Sequence, residues 1–181
     1  EKNNQLFIFH LIIATLPAIF AGLLLKDYFL KIFDNVHLVG LALCSTGFLL
    51  IFSKRFKNNQ EAITFSSSIL VGIAQAVAII PGISRSGLTI SMCMYLGITP
   101  KEAARFSFLL SIPVILGASI LGFLELESNN TFNYMTLTVA ITTSFLTGVL
   151  ALKILLKILE TGKFYFFGFY CLIAGVSTTF I

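Results

Sequence analysis

The sequence predicts an all-α integral membrane protein of five spanning helices plus one re-entrant helix-loop-helix hairpin, part of an inverted-repeat fold. Three observations predict it. The chain is 57% hydrophobic and 11% charged, with a mean hydropathy of +0.96, where soluble domains carry about 25% charged residues. Five apolar runs are long enough, as helices, to cross a hydrocarbon core of roughly 30 Å. Two further apolar runs, on either side of Pro81-Gly82, are too short to do so.

The first span is Leu6 to Leu25. Lys2, Asn3 and Asn4 lead into it, no signal-peptide pattern precedes it, and a start at Glu1 rather than Met reads as a chain that begins within a longer protein. Pro17 is tolerated in a bundle, where neighbours satisfy the freed carbonyl. His10 has no carboxylate or second histidine at helical spacing, so it reads as a satisfied or interfacial side chain. Lys26 to Asn35 is a short loop. Val36 to Ser53 is the second span, whose Gly40, Ala42, Ser45 and Gly47 let helices approach closely, and Lys54-Arg55-Phe56-Lys57 closes it as a solvated anchor.

Ile69 to Ile80 and Leu88 to Ile98 follow. A dozen residues make about 18 Å of helix, well short of the membrane core. Joined by Pro81-Gly82 and Gly87, they read as a hairpin that enters and leaves by one face. Ser66, Ser67, Ser68 and Gln75 suit its first half to a protein-facing position. Thr99, Pro100 and Glu102 resemble a helix start with a capping box. Phe106 to Phe123 spans, Glu125 to Asn133 is an acidic loop, Tyr134 to Leu152 spans, Lys153 to Lys163 is a basic connector, and Phe164 to Ile181 is the last span.

Charge placement supports this layout. With a hairpin, Lys2, Lys54, Arg55, Lys57, Lys101, Arg105, Lys153, Lys157 and Lys163 share one side, predicted cytoplasmic, and Lys26 and Lys31 take the other. The net charge of +4 therefore reads as orientation and not as a nucleic-acid surface. Cys44, Cys93 and Cys171 lack metal-ligand spacing and read as bland buried thiols. Two spans before the hairpin and three after it fit a single membrane domain over residues 1–181. In it, residues 1–61 are the remainder of a first repeat and 62–181 a second repeat with its re-entrant hairpin at 66–98.

The chemistry concentrates at Ile80-Pro81-Gly82-Ile83-Ser84-Arg85-Ser86-Gly87-Leu88-Thr89. An arginine in an apolar stretch is costly unless it faces a cavity or a partner, so it marks a functional site. Its planar fork suits phosphate oxygens. Gly82 and Gly87 let backbone N–H groups approach an anion, Ser84, Ser86 and Thr89 add hydroxyls, and a half-helix starting near Ser86 would aim its positive end at the tip. The alternative is a surface turn with Arg85 snorkelling to the interface. Thiolate and histidine phosphatase chemistries are excluded locally: no Cys lies five residues before Arg85, and no His follows it. All eight carboxylates, Glu1, Asp27, Asp34, Glu61, Glu102, Glu125, Glu127 and Glu160, fall in termini, loops or the capping turn, so the motif is an anion clamp without a base or metal ligand of its own.

Pro81-Gly82-Ile83-Ser84-Arg85-Ser86-Gly87-Leu88-Thr89 resembles the P-G-x-S-R-S-x-x-T motif of the bacterial undecaprenyl-diphosphate phosphatases, the bacitracin-resistance family. Gly72-Ile73-Ala74-Gln75-Ala76 and the segment from Ala103 to Pro113 resemble it too. The likeness covers the family's central and C-terminal portion, and the family's E-x-x-x-E motif has no counterpart here. It implies hydrolysis of undecaprenyl diphosphate to the monophosphate lipid carrier of cell-wall synthesis, in the bacterial inner membrane, by a multi-pass protein. It implies a divalent cation, magnesium or calcium, with ligands outside this chain, and a homodimer as one assembly to expect. Carried over by residue, Arg85, Ser84 and Thr89 would be catalytic, Arg85 binding the diphosphate and Ser84 acting either as nucleophile or as phosphate ligand, with Gly82, Ser86, Gly87 and Gln75 binding substrate. A clamp without base or metal is expected to give this chain little turnover by itself. Three readings stay open: the hydrolase, a lipid-phosphate binder or transporter that does not hydrolyse, and an inactive fragment.

Overall fold

The computed structural model describes residues 2–24, 35–53, 62–124 and 134–179. Among these residues the chain forms seven helices: α1 (Lys2–Leu24), α2 (Val36–Phe52), α3 (Phe65–Val77), α4 (Arg85–Tyr95), α5 (Pro100–Leu124), α6 (Tyr134–Glu160) and α7 (Tyr165–Thr179). Of these, α1, α5 and α6 are long and apolar enough to cross a membrane, and α2 and α7 are apolar but shorter. The loop with Lys26 and Lys31, the anchor Lys54 to Lys57 and the acidic loop from Glu125 lie outside the described residues.

Two close helix pairs build the body. Against α2, α7 runs antiparallel: a Cβ at Gly47 would stand 2.8 Å from the Gly168 carbonyl oxygen, and one at Gly175 would stand 2.7 Å from that of Gly40. Only glycine allows backbones this near, which is why the small residues of α2 matter. The second pair is α1 and α3, parallel, with Gly72 against the Ala14 backbone and Gly22 beside Ile79; α1 runs unbroken through Pro17. Thr64 caps α3 reciprocally with Ser67, its hydroxyl accepting from the Ser67 N–H at 3.2 Å while Ser67 Oγ accepts from the Thr64 N–H at 2.8 Å. Ser67, Ser68 and Gln75 face protein, but Ser66 is exposed, because it falls on the opposite side of the helix.

From Arg85 to Tyr95, α4 descends along the first half of α5. Arg85 meets the Leu110 carbonyl, and Thr89 meets Ser107. Beyond that level α5 continues from Ser111 to Leu124, about 21 Å of further helix. The ends of the hairpin share one apolar cluster with the end of α6 and the start of α7, through Ile63, Ile98, Leu159 and Phe164.

Three local expectations are corrected. The helix α6 continues through Lys153 and Lys157 to Glu160, so the turn is only Thr161 to Phe164, with Gly162 at φ +66. Lysine is a good helix former whose stem can lie along apolar surface, and Leu155, Leu156 and Leu159 give this end a face to bury. Second, α4 opens one residue earlier than Ser86, because Ser84 caps it. Third, Pro100 does open α5, but Glu102 accepts from Arg105 at 3.5 Å instead of closing a box with Thr99.

Candidate anion site at the hairpin tip

The tip is a tight turn between two half-length helices. Gly82 has φ +89, a region where a side chain clashes with its own backbone, and a Cβ there would also collide with the Val39 carbonyl oxygen of α2. The chain then extends at Ser84 (φ −69, ψ 110) and enters α4. Ser84 Oγ accepts from the Gly87 N–H at 3.2 Å, the usual N-cap bond. This leaves the Ser84 hydroxyl proton free to donate. Gly87 is required for the same reason: a Cβ there would stand 2.9 Å from Ser84 Oγ.

Arg85 is half-buried, in the first turn of α4, and turned toward α3 and α5. Its Nε and Nη2 donate to Gln75 Oε1 at 3.1 and 2.5 Å, and Nη2 also reaches the Leu110 carbonyl at 3.3 Å. Gln75 is 2% exposed, and its Nε2 is buried without a hydrogen-bond partner. A buried amide donor left unpaired costs about 1–3 kcal/mol. Thr89 is 1% exposed; its hydroxyl lies 2.8 Å from the Arg85 carbonyl and 2.6 Å from Ser107 Oγ. Ser86 is half-buried on the first turn of α4.

Of the residues expected at the site, the tip thus gathers Gly82, Ser84, Arg85, Ser86, Gly87 and Gln75, while Thr89 points into the α4–α5 contact. Two neighbours were not expected. Thr46 of α2 accepts from the Ser84 N–H at 3.2 Å, and Ser107 partners Thr89. Ser107 lies in the segment whose likeness to the family was visible, whereas Thr46 carried no local signal. His37, in the first turn of α2, faces α7, its Nδ1 3.1 Å from the Thr179 carbonyl oxygen.

This set is rich in donors and carries a positive charge, so it suits an anion. It does not fit the divalent cation that the family likeness implies, because a guanidinium and an amide N–H₂ repel a cation and no carboxylate joins them. Among the described residues no group of three or more His, Cys, Asp or Glu side chains comes together as a metal site.

A protein all-helical among its described residues, with helices long and apolar enough to cross a membrane and an arginine-centred candidate anion site on a broken helix pair, is the class that fold and site define. Residues 1–177 match the family of Bacitracin resistance protein BacA. The chain belongs to that family. It is 39% identical over 181 residues to a Bacillus cereus protein named Undecaprenyl-diphosphatase 1, covering 98% of this chain and 67% of that one. It is 40% identical over 171 residues to a Methanothermobacter thermautotrophicus protein named Undecaprenyl-diphosphatase, covering 91% of this chain and 94% of that one. A Korarchaeum cryptofilum protein of the same name is 38% identical over 177 residues, covering 98% and 66%. The chain thus spans about two thirds of the length of the first and third relatives and almost all of the second.

Proposed function

We propose that the protein hydrolyses undecaprenyl diphosphate, with the hairpin tip as its diphosphate-binding part. Water attacks the terminal phosphorus, the bond to the bridging oxygen breaks, inorganic phosphate leaves, and the bridging oxygen stays on the lipid monophosphate. Family membership supports the reaction. The observation that carries the assignment to the tip is the half-buried Arg85, whose Nε and Nη2 are held by Gln75 and Leu110 while its Nη1 is left to meet a ligand. A phosphate oxygen is the acceptor that suits it.

In this reading Arg85 neutralises charge that builds on the phosphoryl oxygens, Ser84 donates its free hydroxyl proton to one of them, and the N-terminal end of α4 adds its dipole. Thr89 joins them by holding the Arg85 turn against α5. Gly82 and Gly87 shape the turn, seated against the Val39 carbonyl and the Ser84 cap. The groups that activate water, and the ligands of the divalent cation implied by the family, lie outside this set.

The hairpin is taken as re-entrant, with five spans around it in a multi-pass protein of the bacterial inner membrane. The continuation of α5 past the tip and the shared cluster at the hairpin's two ends support this. The assay is phosphate release from undecaprenyl diphosphate by the purified protein in detergent. Release that is lost in Arg85→Lys supports the hydrolase. Saturable binding of the lipid diphosphate without release would instead support a binder or transporter.

A further inference from the structure

We infer that Thr46, in the middle of α2, is a positioning residue that sets the hairpin tip for the diphosphate. The inference rests on the tip being the anion site. Between α3 and α4 the backbone turns through bonds from Ile79 to Ala76 at 3.2 Å, Ile80 to Val77 at 3.1 Å and Ile83 to Ile80 at 3.1 Å, and these bonds leave Pro81, Gly82 and the Ser84 N–H to be held from outside the turn. The turn's seat is α2. The Val39 carbonyl and Ala42 lie against Gly82, and Thr46, 4% exposed, reaches both ends of the turn. Its Oγ1 accepts from the Ser84 N–H at 3.2 Å and lies 3.5 Å from the Gly82 carbonyl oxygen.

The hydroxyl of Thr46 is not a spare donor for substrate, since its one proton has the Ala42 carbonyl at 3.1 Å and the Gly82 carbonyl at 3.5 Å as acceptors. It acts through Ser84. That residue opens α4, caps it through Oγ, and precedes Arg85, so a shift of its backbone moves the free hydroxyl, the helix end and the guanidinium together. Misplacement by about 1 Å can cost on the order of a hundredfold in rate.

The test compares Thr46→Val, which keeps the shape and loses the acceptor, with Thr46→Ser, which keeps the acceptor and loses a methyl. Phosphate release from undecaprenyl diphosphate is measured alongside amide hydrogen exchange of peptides covering residues 80–90. Thr46→Val is expected to lower kcat about tenfold to a hundredfold with KM within about threefold, because misplaced donors lose more of the transition-state interaction than of ground-state binding. Exchange at the tip rises in the same variant. Thr46→Ser restores both to within about twofold. Wild-type kcat and exchange in Thr46→Val would overturn the inference, and so would a Thr46→Ser as impaired as Thr46→Val, which would make the methyl's packing the cause. If the wild-type protein releases no phosphate, the hydrolase reading fails by itself, and the exchange comparison alone then decides for or against Thr46.

Discussion

Replacing Arg85 separates a charge kept for substrate from a charge kept for folding. Its guanidinium reaches Gln75 Oε1 through two nitrogens and touches the Leu110 carbonyl, so the arginine has protein partners as well as a proposed ligand. Lysine keeps the charge and can hold Gln75 Oε1 by one bond, but it loses the planar fork. Arg85→Lys should therefore fold and lose about a hundredfold to a thousandfold in rate, about 2.7–4 kcal/mol of transition-state stabilisation. Arg85→Ala should be as inactive and also less stable. It strands the second half of an amide that already has an unpaired Nε2, at about 1–3 kcal/mol. At about 2–4 °C per kcal/mol for a chain of this size, the melting temperature should fall by roughly 2–12 °C. Removing both partners together, Arg85→Met with Gln75→Leu, should recover most of that stability and none of the activity. Phosphate release and melting temperature in detergent are read for all four proteins. A Lys variant within a few-fold of wild type would refute the fork's role, and a double variant no more stable than Arg85→Ala would refute the account of Gln75.

Other predictions are local. Gly82→Ala forces φ +89 on a residue with a side chain and drives its Cβ into the Val39 carbonyl; activity should vanish and the melting temperature should drop, and retention of both would mean that the turn sits differently. Thr89→Val strands the Ser107 hydroxyl at 2.6 Å and should cost about 1–3 kcal/mol, recovered by adding Ser107→Ala; if activity does not return with stability, Thr89 also touches substrate. Gly47→Leu should separate α2 from α7 and lower stability without changing the residues of the tip, which a thermal melt reads directly. Ile83→Cys should stay shielded from a bulky membrane-impermeant thiol reagent on intact cells while Leu124→Cys labels, because α5 continues past the tip; equal labelling would put the tip on the surface.

The helix order was legible in the sequence because hydropathy and breakers act locally. Val36 and Tyr134 open helices where the apolar runs begin, and Pro81-Gly82 marks the break between α3 and α4. The end of α6 was not legible, since Lys153 and Lys157 look like connector until Leu159 is seen to bury between the hairpin's ends and α7. Within the site, Arg85 and Ser84 announce themselves by composition, and Gln75 by being polar in an apolar helix. That Gln75 takes Arg85, that Thr89 turns to Ser107 and that Thr46 takes Ser84 depend on how α2, α3 and α5 pack around the tip. Partners 10, 18 and 38 residues apart carry no periodic signal.

The central claim, that the tip around Arg85 holds the lipid diphosphate, is tested most directly by footprinting. Ser86→Cys places a thiol on the first turn of α4 beside Arg85, and its alkylation can be followed by peptide mass spectrometry. Undecaprenyl diphosphate should slow alkylation at position 86 several-fold in a saturable manner, and undecaprenol, which shares the tail and lacks the phosphates, should not. Equal alkylation with and without the diphosphate, in a variant that still binds it, would contradict the account.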